Sequence, residues 1–480
     1  MKTLILCVLI LLINTLYSCK KDFLELNPSD RLNDGNFYQD ESDFERALVG
    51  SYARIRPLFR TSSMLFAADL FTDNAEIQWS SPSVDEMQFD QNELNPGNGL
   101  VNALWTSSLF AIANCNVIIN RIEGASFDET AKNRILGEAK FIRAFCYFYL
   151  VQLFGNVPLV TQEFGSPEDV STADLTLKPK ETIYTFIIED LQSAESLMPD
   201  EPVADKTRVS VGTVKTLLGK VYLTVHDYDQ AAIKLKEVID WNQYQLADDY
   251  ASLFSAGNNN LDESILEVQF LSGQTLGNNF SAMFTPSITN MALFPGNLQG
   301  SGRITPTLDL INAYEEGDER KAASVADSVD LIGGGKSYVR YGKKFVDWKA
   351  VDLSDGSITF TILRYADVLL MYAEALNEQG NTPEALTYIN QVRTRASLTD
   401  LEGLDQESCR MALEKERRLE FVDEGYRWFD LVRTGRAQEV LDAHFESLGL
   451  SFSVDDHELI FPIPQNEILL NPELVQNEGY

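Results

Sequence analysis

Residues 366–392 read ADVLLMYAEALNEQGNTPEALTYINQV, and this stretch predicts two helices joined by a tight turn. Gly380 suits the position just past a helix C-terminus, where a left-handed backbone is strained for most residues and easy for glycine. Thr382 suits an N-cap, and Pro383 falls in the first helical turn, where a missing N–H has no bond to lose. Ala373 and Ala385 are small enough to let the two helices approach closely.

An earlier segment follows the same plan. Leu217-Leu218-Gly219-Lys220-Val221-Tyr222 leads through Tyr228 to Ala231-Ala232 and Ile239, again with small residues where helices would meet. Together the two segments resemble the tetratricopeptide pattern. A helix over 131–154, ended by Gly155 with Pro158 beyond, and another over 182–197, stopped by Pro199, predict a further pair. One more helix is expected over 104–122. Such helices cannot bury their faces alone, so they should stack into one curved scaffold. Two irregular regions, 66–99 and 271–357, are rich in Asn, Gly, Ser and Pro, and long loops of this kind tend to be functional. Residues 265–270 and 357–361 suit short strands. The expected fold is mainly α: a tetratricopeptide-like repeat scaffold with long irregular loops and a few short strands.

The amino terminus carries a different message. Lys2 precedes an apolar run from Leu4 to Leu16, and Leu16-Tyr17-Ser18-Cys19 follows. That run suits a secretory signal, and its ending resembles a bacterial lipobox, in which the cysteine becomes the lipidated first residue. The expected organisation is a signal peptide over 1–18, a lipid-anchored leader over 19–36 and a single domain over 37–480. More than one acyl chain on Cys19 would hold the protein stably. No later apolar run is expected to cross a membrane.

With 72 acidic against 39 basic residues, the chain carries a formal charge of −33, which argues against a nucleic-acid partner. Cys115, Cys146 and Cys409 lack paired spacing and are read as buried small hydrophobes. The three histidines, His226, His444 and His457, form no metal motif. Gly335-Lys336-Ser337 lacks the rest of a phosphate loop, and Gly333-Gly334-Gly335 reads as a turn. Asp69 and Asp73 have i,i+4 spacing and are the carboxylates a glycosidase would use, although such pairs are mostly solvated. The densest charged motif spans 414–433. Glu414 and Arg418 suit an i,i+4 pair there. Charges threaded among Leu419, Phe421, Trp428, Phe429 and Leu431 should form a structural ion-pair network rather than a ligand clamp. Trp105 and Trp428 sit in helical patterns and should be core. No catalytic residue, metal or cofactor is expected.

The chain resembles the SusD/RagB family of Bacteroidetes surface lipoproteins. The matching pieces are CKKDFLE at 19–25, GEAKFIRA at 137–144, FGNVPL at 154–159, RYADVLLMYAEA at 364–375, NQVRTRA at 390–396, the segment 416–433 and the terminal FPIP, NP and QNEGY runs. The resemblance implies a non-catalytic lid on a SusC-like TonB-dependent transporter of the outer membrane. Such a lid captures an oligomeric nutrient at the cell surface, a glycan rather than a peptide, and hands it on. Family motifs of this kind are scaffold motifs, so the ligand site must be chosen by chemistry. Sugar C–H faces stack on aromatic rings, and polar neighbours bind hydroxyls. The candidates are Trp79 with Asp73 and Asn74 in the first irregular region. In the second they are Phe294, Asn297, Tyr338, Arg340, Tyr341 and Trp348.

Overall fold

A computed structural model describes residues 37–60, 63–78, 81–274, 276–294 and 298–480, so Cys19, the leader, Trp79 and Asn297 lie outside the described residues. The long helices of the scaffold, in chain order, are α1 (Glu41–Arg60), α2 (Gly99–Arg121), α3 (Glu129–Phe154), α4 (Lys180–Leu197), α5 (Val211–Thr224), α6 (Tyr228–Trp241), α7 (Tyr365–Glu378), α8 (Thr382–Arg395) and α9 (Gln406–Glu420). Their starts follow local capping chemistry. Asn98 accepts from the Leu100 and Val101 N–H groups ahead of α2, and Asp128 accepts from the Ala131 N–H ahead of α3. Gly155, at φ +70°, ends α3, and Gly380, at φ +84°, follows α7.

Packing runs in sequence order. α1 packs on α2, α2 on α3, α3 on α4, α4 on α5, α5 on α6, α6 on α7, and α7 on both α8 and α9. The three expected pairs, α3–α4, α5–α6 and α7–α8, therefore stack side by side as a helical repeat scaffold. The chain leaves the stack after α6 and returns at α7, yet these two helices still pack on each other. Side chains lock the layers. Arg143 of α3 donates to both carboxylate oxygens of Asp190 on α4 at 2.7 and 2.9 Å, and to Asn116 Oδ1 on α2 at 2.8 Å. Trp105 and Trp428 are both buried, as are Cys115, Cys146 and Cys409, which are free thiols.

Strands are short and stand outside the stack. β1 (Ala75–Glu76) pairs antiparallel with β3 (Thr305–Pro306), and β2 (Ser264–Val268) with β6 (Phe360–Arg364). β4 (Val329–Asp330) pairs with β5 (Lys336–Ser337). Between β4 and β5, Gly333, Gly334 and Gly335 all have positive φ, so the glycine run is a hairpin turn.

Several expectations need correction. Thr382 is the first helical residue of α8 rather than its N-cap. Asn381 holds the cap position, and the Thr382 hydroxyl donates to Asn377 Oδ1 at 2.8 Å. The first irregular region begins with a helical turn, Phe66–Leu70, that is buried throughout, and it contains a helix at Val84–Asp90, while the second contains helices at Phe280–Phe284, Leu308–Ala313 and Glu319–Ser324. Segment 99–124 is long and apolar enough to cross a membrane by length and composition. In the fold it is a core helix, with Leu104, Trp105, Ile112 and Ile118 buried against α1 and α3. The Glu414–Arg418 pair does not form. Glu414 meets Arg427 and Arg436, and Arg418 meets Asp73 and Asp309, because tertiary partners offer closer carboxylate and guanidinium groups.

Candidate functional site

The charged motif is used up in holding the fold together. Arg364, at the end of β6, donates to Glu263 and Glu420 at 2.8 and 2.5 Å through Nη1, and through Nε and Nη2 to Glu424 at 2.7 and 2.9 Å. Arg320 contacts Asp318, Glu416 and Glu420. Arg417 donates to Asp367 and Asp430, each at 2.8 Å. Burying charges is costly, and mutual pairing offsets that cost here. Guanidiniums pull Glu420 and Asp430 well below the usual carboxylate range although burial pushes the other way. The network is almost wholly buried and is scaffold.

Asp73 and Asn74 belong to that interior. Arg427 donates to both oxygens of Asp73 at 2.8 and 2.9 Å, Arg418 adds a third contact at 2.9 Å, and Asp73 is only 5% exposed. Asn74 Oδ1 accepts from Arg418 Nε at 2.9 Å and is buried. Asp69 is sealed as well, accepting from the Gly425 N–H at 2.9 Å. These two carboxylates therefore serve separate structural partners. The sequence could not separate them from loop carboxylates, because the guanidiniums that pair with Asp73 and the Gly425 N–H that bonds Asp69 lie more than 300 positions away.

The two irregular regions meet in space. β1 lies on β3, and the Gln78 N–H donates to Gly302 O at 2.9 Å. Arg340 donates to Pro306 O at 2.9 Å and pairs with Glu76, so it staples this junction rather than standing free. The β4–β5 hairpin joins the same assembly. The Ala292 N–H donates to Asp330 O and the Ile332 N–H to Asn290 O, both at 2.8 Å. Tyr341 packs with Met291 and Val329 and is buried, so it supports the face from beneath. Gly300 is required here, since a Cβ would fall 2.1 Å from Thr285 O.

On this support stand three of the candidate rings. Trp348 is 39% exposed, and Phe294, at 6%, stacks behind it with ring centroids 6.0 Å apart and planes 19° apart. The Asp347 N–H donates to Ser281 Oγ at 2.9 Å and fixes the turn that carries the tryptophan. Tyr338, just past β5, is 87% exposed. Ile332 at the hairpin and Val351 beyond Trp348 are exposed too, and neither carries a sequence signal that marks it. A half-exposed indole with a ring stacked behind it is a rigid apolar platform of the kind sugar rings stack on.

For a metal, the tightest histidine–carboxylate group among the described residues is Asp455, His457 and Glu458, with ligand atoms within 4.8 Å of one another. Asp455 and Glu458 already form a reciprocal capping box for the turn at Asp456–Leu459. A cation there would compete with the cap.

Comparisons agree with this architecture. Residues 22–223 match the family described as "Starch-binding associating with outer membrane", and residues 324–480 match the one described as "SusD family". Two SusD-like proteins of Formosa agariphila are 27% and 28% identical, each alignment covering 98% of this chain and 98% of the relative. A solved structure titled "Laminarin binding SusD-like protein" is 29% identical and superposes with a TM-score of 0.79, covering 92% of this chain and 100% of that one. Both arms of the scaffold and the loops between them thus have counterparts in one group of proteins, and the chain belongs to the SusD/RagB family.

Proposed function

We propose that the chain is a non-catalytic surface protein that binds a neutral oligosaccharide on the loop face. It passes that sugar to a SusC-like TonB-dependent transporter in the outer membrane, where lipid on Cys19 tethers it. In this reading residues 1–18 are removed, 19–36 form the leader and 37–480 one domain. The observation that carries the binding is Trp348, exposed and backed by Phe294 on a face that both irregular regions build. Starch in the family description and laminarin in the solved relative's title are both neutral glucans. A formal charge of −33 favours a neutral ligand over an anionic one. The pairing of Asp73 and the sealing of Asp69 favour capture over hydrolysis.

One stacking ring contributes about 4–6 kcal/mol at most by area, before ordering and sugar desolvation are subtracted. A few rings then give roughly micromolar to millimolar affinity, which suits a protein that must release its cargo. The test is calorimetry of the mature protein with laminarin and with soluble starch. Trp348→Ala should weaken the bound glucan at least about tenfold, with no reducing sugar released by either protein. Equal affinity in the variant, or release of reducing ends by the wild type, would sink the reading.

A further inference from the structure

A cleft of about 610 Å³ opens between the α5–α6 turn, α7, α9 and the segment 430–436, and it shares no residue with the loop face. Its floor is an array of planar charged groups that neutralise one another. Arg410 donates to both oxygens of Glu378 at 2.7 and 2.8 Å, Arg433 pairs with Glu374, and Arg436 donates to Glu414 at 3.0 Å. Each pair keeps spare lone pairs and N–H groups at its edge. One wall is apolar. The His226 and Tyr228 rings stack at 5.8 Å and 27°, and Met411 is 43% exposed. His226 is fixed by a hydrogen bond between its Nε2 and Arg433 O at 2.9 Å.

Arg417 lies beneath this floor. Its side chain is 3% exposed and lines this cleft, with Nε on Asp430 and Nη1 on Asp367. Its Nη2 has no acceptor among the described residues and is itself sealed from solvent. The guanidinium lies over the Phe421 and Tyr426 rings at 5.1 and 5.8 Å, so Arg417 braces the floor from beneath. The paired floor offers no net positive charge to attract an anion. What it offers is donors and acceptors side by side, next to a ring wall, which matches a neutral, hydroxyl-rich molecule.

We propose that this cleft is a second oligosaccharide site, on the repeat scaffold. The proposal rests on the protein being a glycan binder and does not depend on the loop face. A polymer held at both faces dissociates more slowly than one held at either alone.

The test uses the full mature chain and five probes: maltohexaose, laminarihexaose, cellohexaose, mannohexaose and xylohexaose. Hydrogen exchange should show protection of peptides covering 226–228 and 407–411 with at least one probe. Arg410→Ala and Tyr228→Ala, both at the cleft surface, should remove that protection and weaken the cleft component at least about tenfold. Binding through Trp348 should stay unchanged, and thermal melting would confirm folding. Binding that is lost only in Trp348→Ala, with the cleft peptides unprotected by all five probes, overturns the cleft alone. Absence of binding by every probe at both faces overturns the cleft and the loop-face reading together.

Discussion

Asp69 shows how one proton can matter to this fold. Its carboxylate is buried, accepts from the Gly425 N–H at 2.9 Å and makes a long 3.5 Å contact with Asn74. Burial outweighs these contacts and pushes the Asp69 carboxyl up to about 7. Asp423 is raised as well, by burial and then by the charge of Asp69, and its Oδ2 finds no donor among the described residues. Between about pH 4 and about pH 7 the folded chain keeps a proton that the unfolded chain releases. Stability contributed here is present at the acid end of that window and is lost as pH rises through it, at about 1.4 kcal/mol per unit. Urea unfolding at intervals from pH 5 to pH 8 should show this fall, and Asp69→Asn should flatten it. An identical slope in the variant would refute the assignment. Asp73 behaves oppositely, since Arg427 and Arg418 overcome its burial and hold it below the ordinary range. Four positions apart in sequence, the two aspartates look alike, because only the distant chain decides which of them meets a guanidinium.

At the scale of elements, Gly219 sets the approach of α5 to α6. A Cβ there would lie 2.6 Å from Cγ of Leu235, a fully buried branch point that cannot swing aside. Alanine gains about 1 kcal/mol of helix propensity over glycine, whereas forced overpacking costs about 1–3 kcal/mol. Gly219→Ala should therefore destabilise the protein, and Leu235→Ala in the same chain should cost less than the two changes separately. A single variant that melts above the wild type would show that the helices can part. Small residues at helix contacts are readable from the chain, as are Gly155 and Gly380, because these needs are local. The Thr382 cap and the Glu414–Arg418 pair were misread for the same reason in reverse. Each side chain found a better partner outside its own helix.

Over the whole molecule, Arg364 ties together chain segments that are far apart. It joins Glu263 before β2, Glu420 at the end of α9 and Glu424 in the turn beyond. Arg364→Met would leave three carboxylates buried with fewer cations, a change that costs about 3–5 kcal/mol when a buried pair is broken. Urea unfolding should show at least that loss, and a loss under about 1 kcal/mol would mean that Arg320, Arg395 and Lys344 suffice. The order of the long helices, their pairing into repeats and the structural role of the charged motif were all legible in the chain, whereas the short helices inside the two irregular regions were not. The legible features depend on periodicity, capping and the cost of unpaired charge, which act over a few residues. Which loop residues face solvent was decided only by tertiary structure. Asp73, Asn74, Phe294 and Tyr341 went to the interior while Trp348 and Tyr338 stayed outside. Exposure in a loop is set by what the rest of the chain stacks beneath it, and no local pattern encodes that.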